Sequence, residues 1–255
     1  MWLNPGPGSG REPVNDYFLD KQRFDIDVDV KFLEKGPPHL EYAYYGALVL
    51  GDTIHAVKQA ECDGYDGVVI GCFYDPGLYE SREITERLVV TAPMEASTSI
   101  ASCLGHRFSI LVGRRKWIPA MSDTLTRYGL STRLASFRPV NIGVLEMYQD
   151  HQQSGRRLLE ESRKAVEEDG AEVIILGCTA TRGLYRVIQD RLSVPVIDPV
   201  IASIHHVCLL AQLHRLYGWS HSKICSYEMP PREEIQRFRL RDAYKFGPIW
   251  DQMGY

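Results

Sequence analysis

The sixteen residues DGYDGVVIGCFYDPGL at positions 63–78 decide the fold because they occur twice: DGAEVIILGCTATRGL at 169–184 repeats them at a constant offset of 106. Six of the sixteen positions are identical, and the three before each Gly-Cys are apolar in both copies. A period this long marks duplicated domains rather than a solenoid. Each copy reads as a buried strand ending at Gly-Cys and followed by a helix start. Asp75 fits an N-cap before Pro76, and Thr181 fills the equivalent place in the second copy. Downstream the match continues with a two-residue shift: Arg87-Leu88 with Arg191-Leu192, Val90 with Val194, and Ser99-Ile100 with Ser203-Ile204.

Outward from the repeat, short β-branched runs alternate with amphipathic segments, which predicts an α/β fold with mainly parallel sheets. Strands are expected at 25–32, 67–71, 88–91, 108–112, 134–137, 173–177 and 194–197, and the clearest helix at 152–168, stopping at Gly170. Residues 1–105 form the first half and 106–214 the second. The segment 215–255 has no counterpart in the first copy; it joins the first half or another subunit, with a charged, aromatic helix at 232–244.

Composition narrows the classes further. With 29 Lys and Arg against 33 Asp and Glu, the formal charge of −4 leaves no basic excess to neutralise a phosphate backbone, so nucleic acid is not an expected partner. No apolar run approaches the roughly 20 residues that span a bilayer. The start, Met1-Trp2-Leu3-Asn4-Pro5, carries no leader pattern, and a cytoplasmic protein without a membrane partner is expected. The six cysteines lack metal-site spacing and read as free thiols, with Cys62, Cys103, Cys208 and Cys225 as packing residues.

Cys72 and Cys178 read differently. Both stand at the carboxyl end of a strand, where open α/β sheets hold their ligands. A helix N-terminus beside each would lower its thiol pKa from about 8.5 toward neutrality. If the halves face each other about a pseudo-two-fold axis, the two thiols approach one cleft from opposite sides. Inverting a carbon that bears an acidic hydrogen needs a base on one face and an acid on the other, and two thiols supply both. Backbone N–H groups after each cysteine would hold the developing oxyanion, with no metal or organic cofactor.

VVIGCFYDPGL, VIILGCTATRGL and the LNP at 3–5 together resemble the hydantoin racemase branch of the aspartate/glutamate racemase superfamily, over residues 1 to about 213. The resemblance implies two pseudo-symmetric flavodoxin-like halves with the active site in the cleft between them. It also implies that Cys72 and Cys178 are a cofactor-independent acid/base pair. The implied activity is racemisation of 5-substituted hydantoins. Alternatives are an allantoin or Asp/Glu-type amino-acid racemase, an arylmalonate-type decarboxylase, which keeps only the second-half cysteine, and a non-catalytic small-molecule-binding scaffold. The expected partners are a small-molecule substrate and further copies of the chain in a homo-oligomer.

The same resemblance makes Asn4 and Pro5 the start of a substrate-binding turn. That turn continues here as Gly6-Pro7-Gly8-Ser9, where relatives have another Asn and then Ser or Thr; the backbone amides of a glycine-rich turn could replace those contacts. Phe73 and Thr179 follow the cysteines as substrate-binding candidates. Tyr74 either narrows the pocket or lies on the surface. Glu95 is either a carboxylate serving the site or a helix-start residue favoured by the macrodipole. Arg114-Arg115-Lys116 either pairs with a polar substrate or forms a solvated turn. His205-His206 lacks the companions of a metal site.

Overall fold

A computed structural model describes residues 1–8, 26–240 and 244. The first half runs β1 (Trp2–Asn4), β2 (Val30–Phe32), α1 (Ala43–Cys62), β3 (Gly67–Ile70), α2 (Leu78–Ile84), β4 (Val89–Thr91) and α3 (Pro93–Leu104). The second runs β5 (Phe108–Val112), α4 (Ile118–Arg127), β6 (Leu134–Pro139), α5 (Val144–Gln149), α6 (His151–Glu167), β7 (Val173–Leu176), α7 (Tyr185–Gln189), β8 (Val196–Ile197) and α8 (Pro199–Tyr217). Each half holds a four-stranded parallel sheet, ordered β2-β1-β3-β4 and β6-β5-β7-β8. The α/β, two-half architecture is as expected.

The apolar triplets of the repeat become central strands because both of their faces are covered. Every residue of β3 and of β7 is buried, the continuous hydrophobic pattern of a parallel strand. Leu3 stands beside Ile70 in the first sheet and Leu111 beside Leu176 in the second. The helices before these strands repeat one another as well. α1 buries Val49, Thr53, Val57 and Ala60, and α6 buries Ser154, Leu158, Ser162 and Ala165, the same spacing on one helical face.

Several expectations need correction. The strand placed at 25–32 is confined to Val30–Phe32, and residue 25 lies outside the described residues. The two-residue shift is absent from the structure: Gly67 and Val173 open β3 and β7, and Pro93 and Pro199 open α3 and α8, each pair 106 apart. The helix placed at 232–244 is interrupted: α9 spans Arg232–Arg237, Arg239 takes a left-handed φ of 52° that breaks the run, and Leu240 and Tyr244 are again helical. Cys103 and Cys225 are exposed rather than packed.

The last helix of each half leans on the other. α3 contacts β7, while α8, which the sequence division gave to the second half, packs on β3 and β4 and along α3. Val200, Ile204 and Val207 of α8 bury against Trp2, Val69 and Val89 of the first sheet. Beyond α8 the chain straps the edge strand β4: His221 Nε2 accepts the Val90 N–H at 3.0 Å, and Lys223 donates to the Arg82 carbonyl. An edge strand covered in this way offers less free backbone to another chain.

Candidate active site

In each sheet the strand order reverses beside the first strand, so the loops leaving β1 and β3, and those leaving β5 and β7, open a crevice at the carboxyl edge. The two crevices meet in one cavity of about 80 Å³. Asn4, Pro5, Gly6 and Pro7 line it from the first turn, and Gly71, Cys72, Phe73 and Tyr74 from the loop after β3. Gly177, Cys178 and Thr179 line it from the loop after β7. All but one of the site positions expected from the sequence therefore come together, and Tyr74 is a wall of the cavity rather than a surface residue. Gly8 is not among the lining residues, and Ser9 lies outside the described residues.

The glycine before each cysteine is dictated by close approach. A Cβ on Gly71 would stand 2.5 Å from the Trp2 indole, and one on Gly177 would stand 2.5 Å from the Leu111 carbonyl oxygen. Neither position has room for a side chain, so each strand end can lie against its neighbour and carry its cysteine into the cavity.

The expectation of acidic thiols is overturned. Cys178 is buried and Cys72 partly buried, and desolvation pushes both thiols up to about 12. The Tyr74 N–H on Cys72 and the Ala180 N–H on Cys178 oppose the rise, while each thiol also feels a neighbouring carboxylate, Asp75 and Glu41 respectively. Burial wins because no full helix starts at either cysteine. α2 begins only at Leu78, with Gly77 as its N-cap at φ 73°, and a single 3-10 turn over Thr179–Thr181 follows Cys178.

The two capping assignments change accordingly. Asp75 does not cap the helix that follows it. Its carboxylate accepts the N–H groups of Met94 and Glu95 at 2.9 and 2.8 Å, and the Tyr128 hydroxyl at 2.6 Å. It thus caps α3 from the loop after β3, and burial pushes its carboxyl up to about 7 against those three donors. Thr181 donates its hydroxyl to the Cys178 carbonyl at 2.5 Å.

Glu95 is not a lining residue. Arg82 holds its carboxylate in a two-pronged ion pair at 2.5 and 2.8 Å, and the Thr91 hydroxyl donates to it at 2.9 Å. The Arg82 guanidinium keeps Glu95 below the usual carboxylate range despite burial. The helix-start carboxylate has become half of a structural ion pair.

The sequence reading missed the remaining walls. Pro37, Pro38, His39, Leu40 and Glu41, after the carboxyl end of β2, close one side; Trp117, Met121, Val144 and Tyr148 close another. The only signal for the first group was its place after a strand end. Trp117 is 2% exposed and its indole crosses the Tyr74 ring at 6.4 Å between centroids, a contact set by the docking of α4. Of the cationic turn, Arg114 pairs with Glu41 at 3.3 Å and Lys116 sits 3.5 Å over the Tyr42 ring; none of the three cations lines the cavity.

His206 bonds the Thr91 hydroxyl through Nδ1 at 2.9 Å, and no group of metal-ligating side chains occurs among the described residues. Among the described residues no helix is long and apolar enough to cross a membrane. A wider open groove of about 700 Å³, between Asp66, Gly67 and α8, contains neither Cys72 nor Cys178.

Chemically, the cavity presents two thiols at equivalent strand ends within mostly apolar walls. Comparison with known proteins gives the family. The sequence pattern of the family described as Asp/Glu/Hydantoin racemase matches residues 25–207. A hydantoin racemase from Paenarthrobacter aurescens is 35% identical over 201 residues, 78% of this chain and 83% of its own. Another from Pseudomonas sp. (strain NS671) is 32% identical over 212 residues, 83% of each chain. Among solved structures, allantoin racemase from Klebsiella pneumoniae superposes with a TM-score of 0.77 at 26% identity, covering 91% of this chain and 93% of that one. With the family pattern spanning well over half of its residues, this chain belongs to the Asp/Glu/hydantoin racemase family and is an isomerase, a racemase acting on a small molecule.

Proposed function

We propose that the chain racemises 5-substituted hydantoins without a cofactor, using Cys72 and Cys178 as acid and base on opposite faces of the substrate. The observation that supports this most is that the two thiols, at equivalent ends of β3 and β7, line one cavity. One sulfur, as thiolate, takes the proton from the ring carbon alpha to the carbonyl, and the other thiol returns a proton to the opposite face. The N–H groups of Tyr74 and Ala180 stabilise whichever sulfur is anionic. Phe73, Tyr74, Trp117 and Met121 give the cavity an apolar wall suited to an alkyl or aryl 5-substituent.

Allantoin is the second reading, favoured by the structural similarity to an allantoin racemase over nine-tenths of the chain. A cytoplasmic setting, supported by six free cysteines, and self-association complete the proposal.

The test is loss of optical rotation from single enantiomers of 5-benzylhydantoin, 5-isopropylhydantoin and allantoin in buffer with EDTA. Wild type, Cys72→Ala and Cys178→Ala are compared. Rapid loss with wild type and none with either variant is expected. Unchanged rotation of all three substrates with wild type would overturn the reading, and activity surviving in Cys72→Ala would point to one-thiol chemistry.

A further inference from the structure

Among the described residues that line the cavity, one is an acidic residue, Glu41, and none is Lys, Arg or Asp. Glu41 is 7% exposed and comes from the first half, between β2 and α1. Both of its oxygens are anchored on the second half. Oε1 accepts the Val144 N–H at 2.5 Å, and Oε2 accepts from Arg114 at 3.3 Å. The carboxylate therefore cannot swing out of the cavity without leaving the Val144 amide unpaired. Arg114 offsets its charge only in part, because that side chain is 42% exposed and its contact is a single long one.

A carboxylate has about four acceptor positions. Two are used here, and two remain for donors on a substrate. A cyclic ureide brings ring N–H donors and no formal charge, so it can use them. A ring-opened N-carbamoyl amino acid, an amino acid or a substituted malonate brings a carboxylate of its own, and meets a fixed like charge where the described lining residues include no Lys or Arg. We propose that Glu41 is a specificity-determining residue that favours neutral, N–H-bearing cyclic ureides and rejects carboxylate-bearing analogues. The inference rests on the hydantoin reading of the same site. It combines an attractive and a repulsive element on one side chain, the arrangement by which selectivity is a difference of affinities. The charge of Glu41 is felt across the cavity, raising both the Cys178 thiol and the Tyr74 phenol.

The experiment measures equilibrium binding, by calorimetry, for racemic 5-benzylhydantoin, whose composition turnover leaves unchanged, and for N-carbamoylphenylalanine, its ring-opened anion. The proteins are wild type, Glu41→Gln and Arg114→Ala. Wild type is expected to prefer the neutral ring. Glu41→Gln should narrow that preference about tenfold or more, the anion gaining and the ring losing a charge-assisted hydrogen bond. Arg114→Ala, which leaves Glu41 less compensated, should widen it several-fold. The two variants move in opposite directions, so the test survives if Glu41→Gln fails to fold. A preference unchanged in both, or an anion that binds wild type as tightly as the ring, would overturn the role of Glu41. Failure of racemisation with the Glu41 effect intact would instead overturn the assigned reaction.

Discussion

The two halves tie the loop after the cysteine to the last helix with the same kind of bridge, built the opposite way round. In the second half the carboxylate belongs to the helix: Asp198, the N-cap of α8, accepts from Val200 and Ile201 and reaches back to the Gly183 N–H at 2.8 Å. In the first half the N-cap of α3 is Ala92, which has nothing to offer, and the carboxylate comes from the loop as Asp75. Duplication preserved the bridge and let the residue that makes it change sides. One consequence is functional. Asp75 is three residues from Cys72 and also holds Tyr128 of the second half, so in the first half the cap, the cysteine loop and the cross-half contact share one side chain.

The sharpest way to break the equivalence of the halves is at the sulfurs. If both thiols exchange acid and base roles, Cys72→Ala and Cys178→Ala should each lower racemisation by about 10³-fold or more, read as loss of optical rotation. A tenfold disparity between them would make one half dominant. Because burial holds both thiols near 12, alkylation of each by iodoacetamide should accelerate with pH through the range 7–10 without a plateau; a plateau near pH 8 at either one would separate the halves.

A second contrast lies behind the first site. At the 106-residue spacing, Arg82 and Glu95 correspond to Ile188 and Ile201. Glu95→Gln leaves Arg82 buried without its partner and should cost about 3 kcal/mol, measured by denaturant unfolding, with KM unchanged because Glu95 does not line the cavity. The paired change Arg82→Ile with Glu95→Ile, which imitates the second half, should recover more than half of that loss.

The bridges give smaller effects. Asp75→Asn should cost about 2 kcal/mol and Asp198→Asn about 1 kcal/mol, with kcat falling further in Asp75→Asn. The folded carboxyl of Asp75, near 7, lies above the unfolded value of about 3.9. Its contribution is therefore most favourable below about pH 4 and declines as pH rises to about 7. The stability gap between wild type and Asp75→Asn, read from melting curves, should therefore widen toward pH 4 and narrow toward pH 7, the opposite of a salt-bridged carboxylate, whose gap closes in acid.

Smallest of all, His221 supports only the first half. Burial pushes it down to about 4, below its unfolded value near 6.5, so its contribution is present above pH 6.5 and fades as pH falls toward 4. His221→Ala should cost about 1 kcal/mol at pH 7.5 and nothing near pH 4.

The repeated motif made the fold legible because a fully buried parallel strand must be apolar at every position, and β3 and β7 are. It also exposed Cys72 and Cys178, since a repeat of this length fixes equivalent places in two sheets. Glu95 shows where such reading ends. A carboxylate in the first turn of a helix looks the same whether it faces a substrate or Arg82, and the partner is thirteen residues away in the chain. Asp75 shows the same limit for capping, because the local pattern pointed to the helix it precedes and not to α3. Glu41 carried no signal beyond its place after a strand end, for its meaning depends on Val144, 103 residues distant.

Sequence by itself determined what local covalent order controls: strand positions, the Gly-Cys strand ends and the duplication. Tertiary structure decided what depends on neighbours remote in the chain: the burial that raises the thiols, the sides from which the caps come, and the Glu41 carboxylate in the cavity wall. The physical reason is that backbone periodicity is written in adjacent residues, whereas desolvation and charge pairing exist only after two sheets have been brought face to face.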